Sequence, residues 1–148
     1  MRRWEWTGSC RFITFSCHRR LQLLGNPAIR DFFVDALASA RLQHGFALYA
    51  WVVMPEHVHL LIRPGDGMSL APVLRSLKTS VAKGVIGRWR ELQAPVLTEL
   101  TTARGTVRYW QKGGGFDRNV RSTEAFCRSV RYIHRNPVKR GLVAEPSG

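Results

Sequence analysis

Apolar side chains recur along this chain first at every second position, then at every third or fourth, and the switches between the two periods divide it into elements. Cys10-Arg-Phe-Ile-Thr-Phe-Ser-Cys17 is rich in aromatic and β-branched residues and predicts a first strand. Asn26-Pro27 reads as a helix start, with asparagine as cap and proline at the first helical position. Ile29, Phe32, Phe33, Ala36, Leu37 and Ala40 then recur at helical spacing, and this helix is expected to end before Gly45. Phe46 to Met54 predicts a second strand. Pro55-Glu56 makes a tight turn into the strand carrying His57 and His59, so the two strands are expected to form an antiparallel hairpin that ends at Pro64-Gly-Asp-Gly67.

Ser69 is placed to cap a long helix with Leu70, Val73, Leu74, Leu77 and Val81 as its buried stripe; Arg75, Lys78 and Lys83 stay out of that stripe. From Glu91 to Gly105 the pattern weakens and predicts loops. Val107-Arg-Tyr-Trp-Gln111 reads as a short strand, followed by a mobile Gly113-Gly-Gly115. A last helix is expected from about Ser122 to about Arg135, because Asn136-Pro137 disfavours its continuation. The order strand, helix, hairpin, helix and a further strand predicts one α+β domain over residues 1–148, with helices on one face of an antiparallel sheet and a site on the other.

The candidate chemistry sits in Trp51-Val-Val-Met-Pro-Glu-His-Val-His-Leu-Leu-Ile62. A strand sends successive side chains to opposite faces, so Val58, Leu60 and Ile62 can enter a core while His57 and His59 stand side by side on the other face. Two adjacent imidazoles can share one metal ion and leave positions open for substrate. Strand histidines are also often mere polar groups on a half-exposed sheet, and an isolated pair would favour that reading. On the last helix Phe126, Val130 and Ile133 form the apolar stripe. Tyr132 lies about 100° round from Ile133 and shares its face with Asn136 one turn later. A phenol off the stripe among Arg128, Arg131 and Arg135 suits a nucleophile, since neighbouring cations favour the phenolate. An ordinary boundary tyrosine fits equally well, and the helix alone does not separate the two.

Charge moves the balance. Lys and Arg number 23 against 10 Asp and Glu, a net +13, and the pI is near 11.2. Arginine dominates, and planar guanidinium groups suit bidentate phosphate contact. A domain this basic is expected to bind a polyanion, nucleic acid above all. No terminal helix sets bulky apolar residues opposite a basic face, which disfavours a membrane surface, and no apolar run reaches transmembrane length. Cys10, Cys17 and Cys127 form no CxxC pair and match no usual zinc spacing. Without a signal peptide they read as reduced, mostly buried thiols of a cytosolic protein.

Three motifs occur in order: Met54-Pro-Glu-His-Val-His-Leu-Leu-Ile62, Trp110-Gln-Lys-Gly-Gly-Gly-Phe-Asp-Arg118 and Tyr132-Ile-His-Arg-Asn-Pro-Val-Lys-Arg-Gly-Leu-Val143. Together, over about Cys10 to Val143, the chain resembles the REP-associated tyrosine transposases, a branch of the single-tyrosine transposases of the His-hydrophobe-His nuclease superfamily. The resemblance implies a ferredoxin-like (RRM-like) α+β fold in the bacterial cytosol. It implies His57 and His59 as ligands of Mg²⁺ or Mn²⁺, Asn136 as the third metal-side group and Tyr132 as the nucleophile. The implied reaction cleaves single-stranded DNA at hairpin-bearing repeats through a 5′-phosphotyrosine and later rejoins it. Arg11, Arg75, Lys78, Trp110, Gln111, Arg118, Arg128 and Arg135 are the candidate DNA contacts.

This chain departs from the family pattern twice. Cys10 or Phe12 stands where members often carry a tyrosine, and the sequence stops at Gly148 where many continue with an aromatic-rich tail. Tail-based regulation is therefore expected to be missing, or the sequence to be cut short.

Two other readings compete. A non-catalytic RRM-like nucleic-acid-binding module would use the open sheet face as a platform, although such modules place aromatics where His57 and His59 stand. A metal-dependent hydrolase would use water in place of Tyr132. Monomer and homodimer both stay open. Bland expectations attach to the rest: His18 and His44 solvated at element ends, His134 a phosphate contact, Trp110 packed rather than stacked on a base, and the glycines a turn or a backbone approach to DNA.

Overall fold

Strand β1 (Arg11–Ser16) runs through the interior of a four-stranded antiparallel sheet, between β3 (His57–Arg63) and β4 (Phe116–Asn119), with β2 (Ala47–Val53) outside β3. The computed structural model describes residues 10–113 and 115–139, with side chains up to Asn136. Helix α1 (Pro27–His44) links β1 to β2, and α2 (Leu70–Leu92) follows β3. A short α3 (Val96–Leu100) leads towards β4, and α4 (Thr123–Lys139) closes the described chain. The sheet order β2-β3-β1-β4 is the α+β arrangement expected from the sequence.

Strand parity distributes the side chains. Ile13 and Phe15 of β1 and Val58, Leu60 and Ile62 of β3 pack against Phe33 and Leu37 of α1 and Val73, Leu77 and Val81 of α2. The opposite parity puts Phe12, Leu61, Ala50 and Val52 on the other face. β1 and β3 are covered on both faces, so β3 from His57 to Ile62 is buried throughout.

Helix α1 begins and ends as its residues dictate. The Asn26 side chain accepts a hydrogen bond from the Ala28 backbone N–H at 2.8 Å, and Gly45 closes the helix at φ 70°, where a Cβ would be strained. Ser69 stands at the start of α2, but its side chain makes no capping bond, contrary to expectation.

Four further expectations are corrected. The segment read as loops holds α3. Val107–Gln111 forms no regular strand and contributes only isolated bridges, Thr101 with Val107 and Cys17 with Trp110. Its aromatic residues turn inward instead: the Tyr109 hydroxyl donates to the Leu23 carbonyl, and the Trp110 indole N–H donates to the Lys78 carbonyl. The fourth strand lies beyond the glycines, at Phe116–Asn119, where all four residues are exposed. Gly115 eases the close approach of this strand, because a Cβ there would lie 3.1 Å from the Thr14 carbonyl oxygen. Finally, α4 passes through Pro137 to Lys139. Proline lacks one backbone donor, and burial of Ile133 and Asn136 holds the last turns against the sheet.

The expected division of faces holds for α1 and α2. Helix α4 crosses to the site face, where Phe126 and Ile133 pack on Phe12, Ala50, Val52 and Leu61. The third sequence motif is followed only as far as Lys139; residues 140–148 lie outside the described residues.

Candidate active site

His57 and His59 owe their common orientation to β3. One residue separates them, and both project from the face that α1 and α2 leave uncovered. Their Nε2 atoms lie 3.1 Å apart. Each ring is held from behind. The His57 Nδ1 lies 2.8 Å from Glu56 Oε1, and the His59 Nδ1 lies 2.8 Å from Thr14 Oγ1. Glu56, His57 and His59 are all less than a tenth exposed.

The carboxylate partner of His57 sets its tautomer. An ionised carboxylate only accepts, so the Glu56 contact puts the His57 proton on Nδ1 and leaves the Nε2 lone pair facing His59. The Thr14 hydroxyl both donates and accepts, so it supports His59 with its proton on either nitrogen. Burial lowers the His59 pKa to about 4, and the neighbouring His57 and Arg20 add to the effect. At neutral pH His59 is therefore an uncharged imidazole with a lone pair to give.

This donor set fits a divalent ion. The two Nε2 atoms converge to 3.1 Å, so His57 and His59 would hold one ion between them, and each ring has an oxygen partner behind it of the kind that orients metal-bound imidazoles. Among the described residues no group of three or more His, Cys, Asp or Glu is arranged to hold a metal ion, since Glu56 faces the far nitrogen of His57. The pair therefore offers two ligands, and an amide or a substrate oxygen would complete the sphere. Asn136, 8% exposed, lines the same cleft as His59.

The cleft lies between the sheet and α4 and has a volume of about 1010 Å³. Tyr132 stands over it, 50% exposed, with its ring centroid 5.4 Å from that of His59 and 6.0 Å from that of Phe12. The tyrosine is open to a ligand while the groups beneath it are buried. Arg118, Arg128, Arg131 and Arg135 line the same cleft. Arg128 also pairs with Glu124 at 2.9 Å across one helical turn, and Arg118 reaches Ser129 Oγ at 3.4 Å.

The structure thus brings together His57, His59, Tyr132, Asn136, Arg118, Arg128 and Arg135. The remaining candidate contacts lie apart from them. Arg11 has the parity of Ile13, points to the other face and grips Asp117 through two hydrogen bonds of 2.8 and 2.6 Å. Lys78 and Trp110 lie together on the α2 side. The Lys78 ammonium sits 5.2 Å from the Phe15 ring and 5.9 Å from the Trp110 ring, and burial lowers its pKa. Trp110 also packs edge-on to Phe15 at 5.1 Å, the packed role expected of it. Arg75 is exposed on α2, and Gln111 accepts a hydrogen bond from the Arg19 backbone N–H.

His18 and His44 depart from the solvated expectation: both are half-buried, and His18 Nδ1 and His44 Nε2 are buried without a hydrogen-bond partner among the described residues. Sequence reasoning missed Thr14, Glu56, Phe12 and Phe116. Parity along β1 was the available signal for Phe12 and Thr14, and the charge beside His57 was the signal for Glu56.

Comparison with known proteins gives the chain a family and relatives of the same fold. The IS200-like transposase family matches residues 8–101, a span that includes both histidines and stops before Tyr132. The REP-associated tyrosine transposase of Escherichia coli K12 is 29% identical over 147 residues, which is 99% of this chain and 76% of the relative. A solved REP-associated tyrosine transposase bound to a REP hairpin superposes with a TM-score of 0.68 at 25% identity, covering 97% of this chain and 75% of the other. A transposase-like crystal structure from Deinococcus radiodurans shares the fold, with a TM-score of 0.59 at 20% identity over 90% of this chain and 94% of the other. Among the described residues no helix is long and apolar enough to cross a membrane. With a family match over more than half its length, the chain belongs to the IS200-like transposases.

Proposed function

We propose that this chain nicks and rejoins single-stranded DNA at hairpin-bearing sequences, with Tyr132 as nucleophile and His57, His59 and Asn136 as holders of a Mg²⁺ or Mn²⁺ ion. The observation that carries the reading is the pair of Nε2 atoms 3.1 Å apart beneath a half-exposed tyrosine ring. The likeness to a transposase solved with a REP hairpin supports the substrate class. When bound, a divalent ion would neutralise phosphate charge and favour departure of the leaving oxygen. Imidazole nitrogens suit Mn²⁺ at least as well as Mg²⁺, which prefers oxygen.

The chain's own residues do the rest. Arg118, Arg128, Arg131 and Arg135 hold the backbone phosphates in the cleft. The Tyr132 oxygen gives up its proton and bonds to the scissile phosphorus. The phosphorus–O3′ bond breaks, the O3′ takes a proton, and the 5′-phosphate remains on tyrosine. The phosphotyrosine conserves the energy of the broken diester, so a 3′-hydroxyl can reverse the step without a nucleotide cofactor. Thr14 and Glu56 keep the two imidazoles aimed while this happens.

The test is a denaturing gel of labelled hairpin-bearing single-stranded DNA incubated with Mn²⁺. Wild type is expected to give a cut strand and a covalent protein–DNA band. Tyr132→Phe keeps the ring and loses the attacking oxygen, so both products are expected to vanish while binding persists. A mutant that still cuts would assign the attack to water. A wild type that binds without cutting would make the protein a binding module.

A further inference from the structure

On the rim of the cleft, away from the histidines, edge strand β4 carries a large apolar ring into the open. Phe116 is 49% exposed and lines the cleft. Its register partner is Thr14, while Arg118 stands opposite Phe12. Parity therefore turns Phe116 and Arg118 to the site face, the same face as His59. The guanidinium carbon of Arg118 lies 5.3 Å from the Phe12 ring and 5.8 Å from the Phe116 ring. The Phe12 and Phe116 rings meet edge to face at 6.3 Å. Phe12 is only 5% exposed and in turn touches both Tyr132 and His59. A row of π-faces thus runs from the exposed rim to the tyrosine, with a guanidinium plane held over it by Ser129.

An exposed phenylalanine costs solvation, and here it sits beside a positively charged cleft rather than on the apolar core. That combination is what an unpaired nucleobase needs: an aromatic face to stack on and cations for the flanking phosphates. We infer that Phe116, with the Arg118 plane beside it, forms a stacking site for one unpaired base of the DNA strand whose phosphate is presented to Tyr132. The site rests on the reading of the cleft as a single-strand DNA site, and it does not depend on Tyr132 being the nucleophile. Stacking is tolerant of base identity, so this site positions the strand rather than reading it.

The experiment uses the full chain and a hairpin-bearing oligonucleotide with a single-stranded flank, in chelator so that no cleavage intervenes. 2-Aminopurine replaces the flank bases one position at a time, and its fluorescence and the binding affinity are recorded. Wild type is expected to quench the probe at one flank position. Phe116→Leu keeps apolar volume without a π-face and is expected to lose that quench and about fivefold to a hundredfold in affinity. Phe116→Tyr is expected to restore both. Quenching at no position, or quenching and affinity unchanged in Phe116→Leu, would overturn the stacking site. Should wild type fail to cut DNA in Mn²⁺ while the quench behaves as expected, the nucleophile reading falls and the stacking site stands.

Discussion

Thr14 of β1 stands directly across from His59 of β3, and its hydroxyl oxygen lies 2.8 Å from the ring's Nδ1. The register that pairs the two strands thus also chooses the partner of a candidate metal ligand. Thr14→Val keeps the β-branched shape and removes the hydroxyl. It leaves His59 Nδ1 without this oxygen, and loss of such a partner typically weakens metal affinity about 10- to 100-fold. Titration calorimetry with Mn²⁺ on the DNA-free protein is expected to show that loss with the melting temperature nearly unchanged. Equal Mn²⁺ affinity in wild type and Thr14→Val would remove the hydroxyl from the site.

Replacing His57 and His59 together by alanine removes both nitrogen ligands and leaves the arginine-lined cleft in place. Cleavage is expected to fall to background in a chelator-washed assay supplied with Mn²⁺, while affinity for the hairpin oligonucleotide stays within a few-fold of wild type. Normal cutting by the double mutant would show that the imidazoles hold no functional metal.

On the proposed reading, the four arginines that line the cleft would make DNA binding an ion-exchange process. Each phosphate neutralised on a single strand contributes about −0.7 to the slope of log affinity against log salt. Arg131→Ala or Arg135→Ala is expected to lower the slope by roughly that amount, with little change at high salt. Arg75→Ala, on α2 across the sheet, is expected to leave it unchanged. A slope insensitive to Arg131 and Arg135 would place the DNA elsewhere.

The cysteines give a check on the core. Burial raises the Cys10 thiol to about 11 and the Cys17 thiol to about 12, so both remain protonated near pH ~8, and the thiolate is the reactive form. Iodoacetamide is expected to label half-buried Cys127 first, with Cys10 and Cys17 following only in denaturant. The sign for stability is also set. The unfolded thiols ionise at lower pH than the folded ones, so the folded state binds more protons above about pH 9. Stability is then expected to fall as pH rises from about 9 towards 11. Early labelling of Cys17 in the native protein would contradict its place in the sheet core.

Much of this protein is legible in its local chemistry alone. Alternation in β3 puts Val58, Leu60 and Ile62 on one face and the histidines on the other, because a strand's period of two leaves no other choice. The cap at Asn26 and the stop at Gly45 follow from backbone geometry. Tyr132 is visible as a residue outside the stripe of Phe126 and Ile133. What lies beyond the reach of local pattern depends on contacts between distant segments. Strand β4 carries no apolar alternation, and Phe-Asp-Arg-Asn becomes a strand because β1, far back in the chain, offers it an edge. That pairing sends Arg118 to the site face, while Arg11 points to the opposite one and is tied to Asp117. Helix α4 outlasts Asn136-Pro137 because burial against the sheet outweighs one lost backbone donor. The pairing of Thr14 with His59 belongs to the same class: side-chain periodicity names the faces, and only the strand register decides which residues meet on them.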